Sequence, residues 1–307
     1  MPTTDPRALT APGTLTAVVD ETLERAFDEV AGLDQLQLGH DAPPPRVVRV
    51  RRSAWPKLGA VAIALALWQA VVWSHWRRED ILPGPGAVFA SLRHGFAEGS
   101  IPRAIGITMQ RAITGYAIAV VIGLLAGTLI SRWRVMRLAF GSFVTGLQTM
   151  PSVAWFPLAL LLFKRSEGAI LFVVVLGAAP AIANGVISGI DHVPPLLLRA
   201  GRVLGARGFG LYRTVVLPAS LPSALAGFKQ GWAFAWRSLM AGELLVIILG
   251  KASIGVQMQT ARDLADSPGL IASMVVILTL GILVDSLVFS AADKAVRRRH
   301  GLLSPSS

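Results

Sequence analysis

Three charged residues stand within one apolar stretch of this sequence and are the side chains best suited to chemistry. Lys229, Arg237 and Glu243 lie between about residues 223 and 248, among mostly apolar neighbours. A charge in hydrocarbon is costly, so such residues usually pair with one another or face a polar cavity. Lys229 and Arg237 are about 80° apart around a helix and can reach the same side. Glu243 lies about 240° beyond Arg237, so the two are not expected to pair on one helix.

Two roles for these charges follow from the pattern. In the first, Arg237 and Glu243 form ion pairs between helices that hold a bundle together, and Lys229 extends to the cytoplasmic surface. In the second, Arg237 faces a central pathway and its positive potential attracts a passing anion. In either role, Glu243 must find a partner on another element, be protonated or face water.

Further polar groups interrupt other apolar stretches. Pro151 and Pro180 free backbone carbonyls within apolar runs, and these groups must find partners or line a cavity. Polar side chains near the middle of a membrane usually face the interior of a helical bundle or a water path. The candidate pathway residues are Gln148, Thr149, Asn184, Trp236, Arg237 and Glu243.

Signatures of enzymatic sites are missing from the sequence. It has no cysteine, and its histidines are scattered rather than arranged as metal ligands. It contains neither a Gly-xxxx-Gly-Lys-Ser/Thr loop for nucleotide phosphates nor a Gly-x-Ser-x-Gly or His-Glu-xx-His motif. We therefore expect that the chain is not an enzyme and binds no cofactor or metal of its own.

Hydropathy indicates which elements must position these residues. The chain has 307 residues, of which 53% are hydrophobic, and its mean hydropathy is +0.58. Runs of about 20 apolar residues are long enough to cross a bilayer. We therefore predict an all-α polytopic membrane protein whose partner is the lipid bilayer. The six predicted transmembrane helices cover about 55–76, 104–130, 138–163, 169–190, 223–248 and 269–292. Gly123 and Gly127 in the second form a Gly-xxx-Gly pair that permits close helix packing.

The basic residues predict the orientation in the membrane. Lys and Arg cluster before the first span, between the second and third, between the fourth and fifth, and after the sixth. The positive-inside rule places these segments in the cytoplasm, with both termini. We therefore expect a multi-pass protein of a bacterial plasma membrane. This topology also explains the net charge of +11, so nucleic acid is not an expected partner.

The sequence divides near residue 45. Residues 1–45 are rich in Asp and Glu, and apolar residues recur at helical spacing between Leu15 and Val30. This cytoplasmic tail contains either an amphipathic docking helix for a partner protein or a segment that is disordered until something covers it. Residues 46–307 form the predicted transmembrane domain.

The polar stretch Ala200–Pro222 separates the fourth and fifth predicted spans. It carries arginines without an opposing acid, which makes it a cytoplasmic loop. Pro194 and Pro195 stand where a short helix would begin. Gly205 and Gly208 allow a tight turn, after which we predict a second short helix ending near Leu217-Pro218.

The same stretch carries a family resemblance. Arg202-Val203-Leu204-Gly205-Ala206, followed after about a dozen residues by Val216-Leu217-Pro218, is similar to the EAA loop of the membrane subunits of binding-protein-dependent ABC importers. In that family the loop forms coupling helices that dock in a groove on a separate ATPase subunit. The family motif usually opens Glu-Ala-Ala, whereas this chain has Arg199, Ala200 and Gly201. The resemblance implies an ATPase-coupling loop containing Arg199, Ala200, Gly201, Arg202, Leu204, Gly205, Ala206, Leu217 and Pro218.

Three further segments resemble the nitrate, sulfonate and taurine importers within this family. They are Leu82–Pro85, Met150–Pro157 and Ala235–Leu244. The resemblance implies the permease subunit of an ATP-driven importer for aliphatic sulfonates, with nitrate or taurine as alternatives. It further implies ABC ATPase subunits that carry ATP and Mg²⁺, an extracytoplasmic solute-binding protein and a second copy of this chain.

An ion-coupled secondary transporter is the alternative from a different class. Such a protein would be expected to show an inverted repeat and a titratable acid at the membrane midplane. Glu243 and Asp285 are the candidate acids, but no convincing repeat relates the two halves of the sequence.

Overall fold

A computed structural model describes residues 46–248 and 250–299 of the chain. The predicted acidic tail, residues 1–45, lies outside the described residues, so its amphipathic helix stays a prediction. The chain divides into two compact units between Ala60 and Val61, and the helical bundle begins at Val61.

The described residues are helical and contain no strand, which confirms the all-α class. The α-helices are α1 (Arg46–Trp73), α2 (Pro85–Ala97), α3 (Ser100–Arg132), α4 (Arg134–Thr149), α5 (Phe156–Phe163), α6 (Glu167–Asp191), α7 (Pro195–Val203), α8 (Gly208–Leu211), α9 (Leu217–Leu245), α10 (Ile254–Asp263), α11 (Ser267–Val284) and α12 (Ser290–Arg299). A 3₁₀ turn covers Ser152–Trp155, and π-helical turns cover Tyr212–Val216 and Asp285–Phe289.

Several helices have the length and composition of membrane spans. Within the described residues, three continuous helices qualify, namely Ser100–Arg132, Glu167–Asp191 and Ser267–Val296. Val135–Thr149 together with Ser152–Phe163 would make a fourth as a bent pair, and the apolar helix Leu58–Trp73 is shorter. Helix α9, which carries several charged side chains, is not among them. A multi-pass helical protein is therefore supported, while the count of six spans stays a prediction.

The third predicted span is a pair of helices with a sharp bend between them, and whether the pair crosses the membrane as one span stays a prediction. Helix α4 ends at Thr149, and the chain then turns by 101° before continuing to Phe163. Pro151 has no N–H and disfavours helical geometry at the residue before it. Met150 is accordingly extended, with φ −69° and ψ 131°. The bend leaves Gln148 half-buried and Thr149 exposed at the C-terminal end of α4.

Helix α6 lies at the centre of the bundle, between α3 and α9. A Cβ atom on Gly123 of α3 would lie 2.7 Å from Ile182 Cβ, and one on Gly127 would lie 2.8 Å from Val186 Cβ. This close approach confirms the packing role predicted for the Gly-xxx-Gly pair. On the other side of α6, a Cβ on Gly185 would lie 2.4 Å from Gly227 Cα of α9. Glycines therefore allow α6 to approach both neighbouring helices at the distance of backbone contact.

The connecting segments gather at two ends of the bundle. At one end, Arg137 at the start of α4 pairs with Asp191 at the end of α6, with 2.7 Å between Nη1 and Oδ1. At the other, Gln257 of α10 donates to the carbonyl of Ser100 at 3.0 Å. The α3–α4 turn thus lies at the same end as the segment that leads to α7, as their shared basic character predicts. Which end faces the cytoplasm stays a prediction.

Candidate functional site

The first short helix of the polar loop forms as the sequence predicts. Helix α7 begins at Pro195, because a proline in the first turn needs no intrahelical N–H partner. At its other end the N–H of Gly205 bonds the Arg202 carbonyl at 3.1 Å, and the N–H of Ala206 bonds the Gly201 carbonyl at 2.9 Å. These two bonds make a Schellman motif, which requires a left-handed residue at its turn.

Gly205 supplies that residue, with φ +87°. A Cβ atom at this position would meet nothing within 4 Å, so the backbone conformation, rather than a close approach, requires glycine. Gly208 also has a positive φ of +53°. The predicted tight turn between Gly205 and Gly208 is thereby confirmed.

The second short helix does not end near Leu217-Pro218, and this part of the prediction was wrong. Helix α8 continues through a π-helical turn, in which the N–H of Leu217 bonds the Tyr212 carbonyl, directly into α9. Leu217 and Pro218 form the first turn of α9 because proline, which lacks an N–H, fits a helix start better than an interior. The loop is therefore joined to the long helix that carries Arg237 and Glu243 without a non-helical break.

Gly201 is the buried contact between the two halves of the loop. A Cβ on this residue would lie 2.8 Å from Leu211 Cδ1 and 2.8 Å from Val215 Cγ2. Helix α7 thus lies directly against α8 and the π-helical turn. Any larger side chain at this position would force the Leu211 and Val215 side chains to shift.

The loop presents an apolar tip bordered by cations. Val203, Leu204 and Phe209 are 87%, 86% and 79% exposed. Four exposed arginines flank these residues in the sequence, together with Ala200 and the half-buried Ala206. These arginines are Arg199, Arg202, Arg207 and Arg213. Clustered exposed apolar residues with a polar rim are typical of a surface that binds another protein.

Glu243 is the fully buried member of an ion-pair network at the opposite end of α9. Its Oε1 accepts from Arg111 Nη1 of α3 at 2.9 Å, and its Oε2 accepts from Thr108 Oγ1 at 2.9 Å and from the N–H of Gly255 at 3.1 Å. Glu243 is 0% exposed. A carboxylate with this many partners is satisfied inside the protein, so Glu243 does not line a cavity in this structure.

The network extends from Arg111 to the start of α6. The Nε and Nη2 atoms of Arg111 both bond the Glu167 carboxylate at 2.8 Å, and Lys251 lies 3.0 Å from the same carboxylate. Two cations thus balance two carboxylates. Neither Arg111 nor Glu167 was identified from the sequence. An arginine within the predicted second span was the available signal, because a charge there requires a partner.

The remaining charges of α9 lie apart from this network. Lys229 pairs with Asp285 at 3.1 Å, where both side chains are about half exposed, instead of extending freely to the surface. Arg237 donates from Nε to the Ala233 carbonyl at 3.2 Å and stacks over Phe234 at 4.7 Å. Arg237 and Glu243 therefore do not pair, and both acids considered for ion coupling have basic partners.

The bend after α4 encloses part of a cavity of about 290 Å³ that has both polar and apolar lining residues. Gln148, Thr149, Arg237 and Ser238 are among its lining residues. Asn184 of α6 lies behind Gln148 and donates to its Oε1 at 2.6 Å. The structure thus brings together four of the six candidate pathway residues.

The other two candidates lie elsewhere. Trp236 lines a separate apolar groove of about 1090 Å³ beside α11 and stacks on Trp232, with 6.1 Å between the ring centroids. Glu243 belongs to the buried ion-pair network. Ser238 was not identified from the sequence, since a serine on a long helix has no distinguishing pattern.

Comparisons with known proteins agree on a membrane transport component. Residues 119–299 match the family model described as binding-protein-dependent transport system inner membrane component. The chain is 30% identical over 242 residues to a putative ABC transporter permease protein of Methanocaldococcus jannaschii, covering 78% of this chain and 90% of the relative.

Two relatives carry the names of anion permeases. The nitrate import permease protein NrtB of Synechococcus elongatus is 30% identical, covering 64% of this chain and 77% of that protein. The putative aliphatic sulfonates transport permease protein SsuC of Bacillus subtilis is 26% identical, covering 81% of this chain and 90% of that protein.

The fold is also that of a solved transporter. The structure resembles a chain of the inward-facing MetNI methionine ABC transporter with a TM-score of 0.54, at 20% identity, covering 64% of this chain and 96% of the other. The family match over more than half of the chain and the 30% identity to an ABC transporter permease protein over 90% of its length lead to one conclusion: the chain belongs to the binding-protein-dependent transport system inner membrane components, the permeases of ABC transporters.

Proposed function

We propose that this chain is the permease subunit of an ATP-driven importer of aliphatic sulfonates, with nitrate and taurine as alternative solutes. The exposed tip of Val203, Leu204 and Phe209 carries the importer proposal. Nothing in the described residues covers these side chains, whereas docking in a groove on an ATPase would bury them. The sulfonate proposal rests on the named relatives and on the basic, acid-free lining of the cavity near α4.

In this proposal, ATP and Mg²⁺ bind to the ATPase and the chain itself transmits force. Helix α7 is held against α8 and the π-helical turn by the Gly201 contact, and the π-helical turn continues into α9. A displacement of the docked tip would therefore move α9 as a lever, together with Arg237. The arginines around the tip would pair with acidic residues on the ATPase, in place of the salt bridge expected from the motif's usual glutamate.

The complete importer would contain two copies of this chain and an extracytoplasmic solute-binding protein. One polar loop per chain would serve one of two paired ATPase subunits, and a two-fold axis between identical permeases is the simplest arrangement. The pathway would then lie between the copies. Both termini would face the cytoplasm with the loop.

Reconstitution tests the function directly. The chain, its ATPase and its binding protein are placed in proteoliposomes, and uptake of radiolabelled ethanesulfonate, nitrate and taurine is measured with and without internal ATP. ATP-dependent uptake of ethanesulfonate above the other two supports the proposal. Uptake that needs an ion gradient instead of ATP would favour the secondary transporter.

Leu204→Asp would isolate the docking step, because it places a charge on the apolar tip. The expected result is loss of the ATPase from the purified complex. Leu196→Asp is a matched control, since Leu196 is also exposed, at 72%, but lies at the other end of α7.

A further inference from the structure

A buried serine in the cavity after α4 has an unused hydroxyl. Ser238 is 1% exposed, and its Oγ has no hydrogen-bond partner among the described residues. The residue lines the 290 Å³ cavity. A buried hydroxyl without a partner costs free energy, so such a group in a cavity indicates that something else binds it.

The neighbouring helix leaves space for the Ser238 hydroxyl. A Cβ on Gly177 of α6 would lie only 2.4 Å from Ser238 Oγ. The absence of a side chain at Gly177 therefore leaves room for the hydroxyl, and any other residue there would force it to move. Gly177 lines the same cavity.

Two more donors border this cavity. The Gln148 side-chain oxygen is occupied by Asn184 Nδ2 at 2.6 Å, which leaves the Gln148 amide nitrogen as a free donor. The Arg237 guanidinium bonds the Ala233 carbonyl through Nε alone, and no carboxylate lies within ion-pair distance among the described residues. The lining contains Arg237 but no Asp or Glu. A hydroxyl, an amide and a guanidinium without an opposing acid are the donor set that suits an oxyanion.

We propose that this cavity is an intramembrane binding site for the oxyanion head of the transported solute, with Ser238 and Arg237 as its specificity-determining residues. The inference rests on the proposed function and assigns to the permease a selectivity beyond that of the binding protein. A volume of about 290 Å³ lies at the small end of ligand pockets, which suits a sulfonate or nitrate head. The exposure of Arg237 keeps the attraction moderate, so that the anion can leave again.

The test measures binding and transport separately. Binding of ethanesulfonate and nitrate to the purified permease–ATPase complex, without binding protein, is measured by equilibrium dialysis of the radiolabelled anions. Ser238→Ala is expected to weaken binding about tenfold, since it removes one hydrogen bond to a charged group. Arg237→Gln is expected to weaken binding at least as much, and Arg237→Lys less, because the lysine keeps the charge.

Ser253 offers a matched control for Ser238. It is 0% exposed and its Oγ is likewise without a partner among the described residues, but it lies at the start of α10 and not in the cavity. Ser253→Ala should bind and transport the anions as the wild type does. If Ser238→Ala misassembles, Arg237→Gln decides the test, since Arg237 is exposed and its replacement disturbs no packed core.

The outcomes separate the two proposals. If the wild-type importer takes up none of the three anions, both the proposed function and this site are wrong. If the wild type imports an anion while Ser238→Ala and Arg237→Gln bind and transport it unchanged, the importer proposal stands and the site is wrong. Weaker binding in both variants, with Ser253→Ala unaffected, supports the site.

Discussion

Replacing Gly205 by valine tests how the polar loop transmits force. Gly205 has φ +87° at the turn that closes α7. A left-handed conformation costs an ordinary L-residue about 1–2 kcal/mol, and a β-branched residue is a genuine outlier there. Because a Cβ at this position would meet nothing within 4 Å, no steric clash adds to that cost. The backbone strain of about 1–3 kcal/mol therefore destabilises only the conformation of the loop.

The loop can relieve this strain only by leaving the Schellman geometry. Doing so would break the bonds of Gly205 to Arg202 and of Ala206 to Gly201 and would displace Leu204. We expect the Gly205→Val variant to insert normally and retain basal ATP hydrolysis in proteoliposomes. Solute uptake should fall about tenfold or more, because a loss of about 1.4 kcal/mol in the docked state is a tenfold change in its population.

Gly210→Val is the matched control for this prediction. Gly210 also has open space around a Cβ but lies in helix α8 without a positive φ. Uptake and ATP hydrolysis are measured side by side in the presence of binding protein. Wild-type uptake by Gly205→Val would refute the reasoning, as would equal losses in the two variants.

Three further predictions concern the bundle and its assembly. Glu243→Gln leaves Arg111 with one carboxylate fewer inside the protein, and breaking such a buried pair costs about 3–5 kcal/mol. In detergent it should lower the melting temperature much more than Asp285→Asn, whose half-exposed pair is worth about 1 kcal/mol or less. Equal shifts would contradict a structural role for Glu243. Gly185→Ala would place a Cβ 2.4 Å from Gly227 Cα, so the variant should give no monodisperse peak on size-exclusion chromatography. Gly106→Ala, where a Cβ has open space, should give a normal peak. A normal yield of Gly185→Ala would disprove close backbone packing of α6 on α9. Native mass spectrometry of the purified importer should find two copies of this chain for two ATPase subunits, and a second type of permease would disprove the homodimer.

Local rules account for the features that could be predicted from the sequence. The start of α7 at Pro195 and the turn at Gly205 depend on the backbone geometry of single residues, which the residue type dictates. The apolar stretches that mark membrane helices could also be predicted, because hydropathy is a sum over residues that are adjacent in the sequence. A helix end was expected near Leu217-Pro218, and this prediction was wrong because the two residues form the first turn of α9. Pro151 was expected to disturb the third predicted span, and it does so by bending the chain by 101°.

Partnerships between distant residues were decided only by the tertiary structure. Glu243 clearly required a partner, yet Arg111 lies 132 residues away in sequence, and several basic residues could have served. Which basic residue pairs with Glu243 depends on how α3 and α9 are rotated about their own axes and on how closely they approach α6. Glycines such as Gly185 and Gly227 set that approach by allowing the helix backbones to touch. The cavity beside Ser238 has the same origin, because it exists only where a bend, a missing side chain at Gly177 and one face of α9 coincide in space. Sequence determines the classes of element and the charges that must be satisfied, and helix packing selects which partners satisfy them.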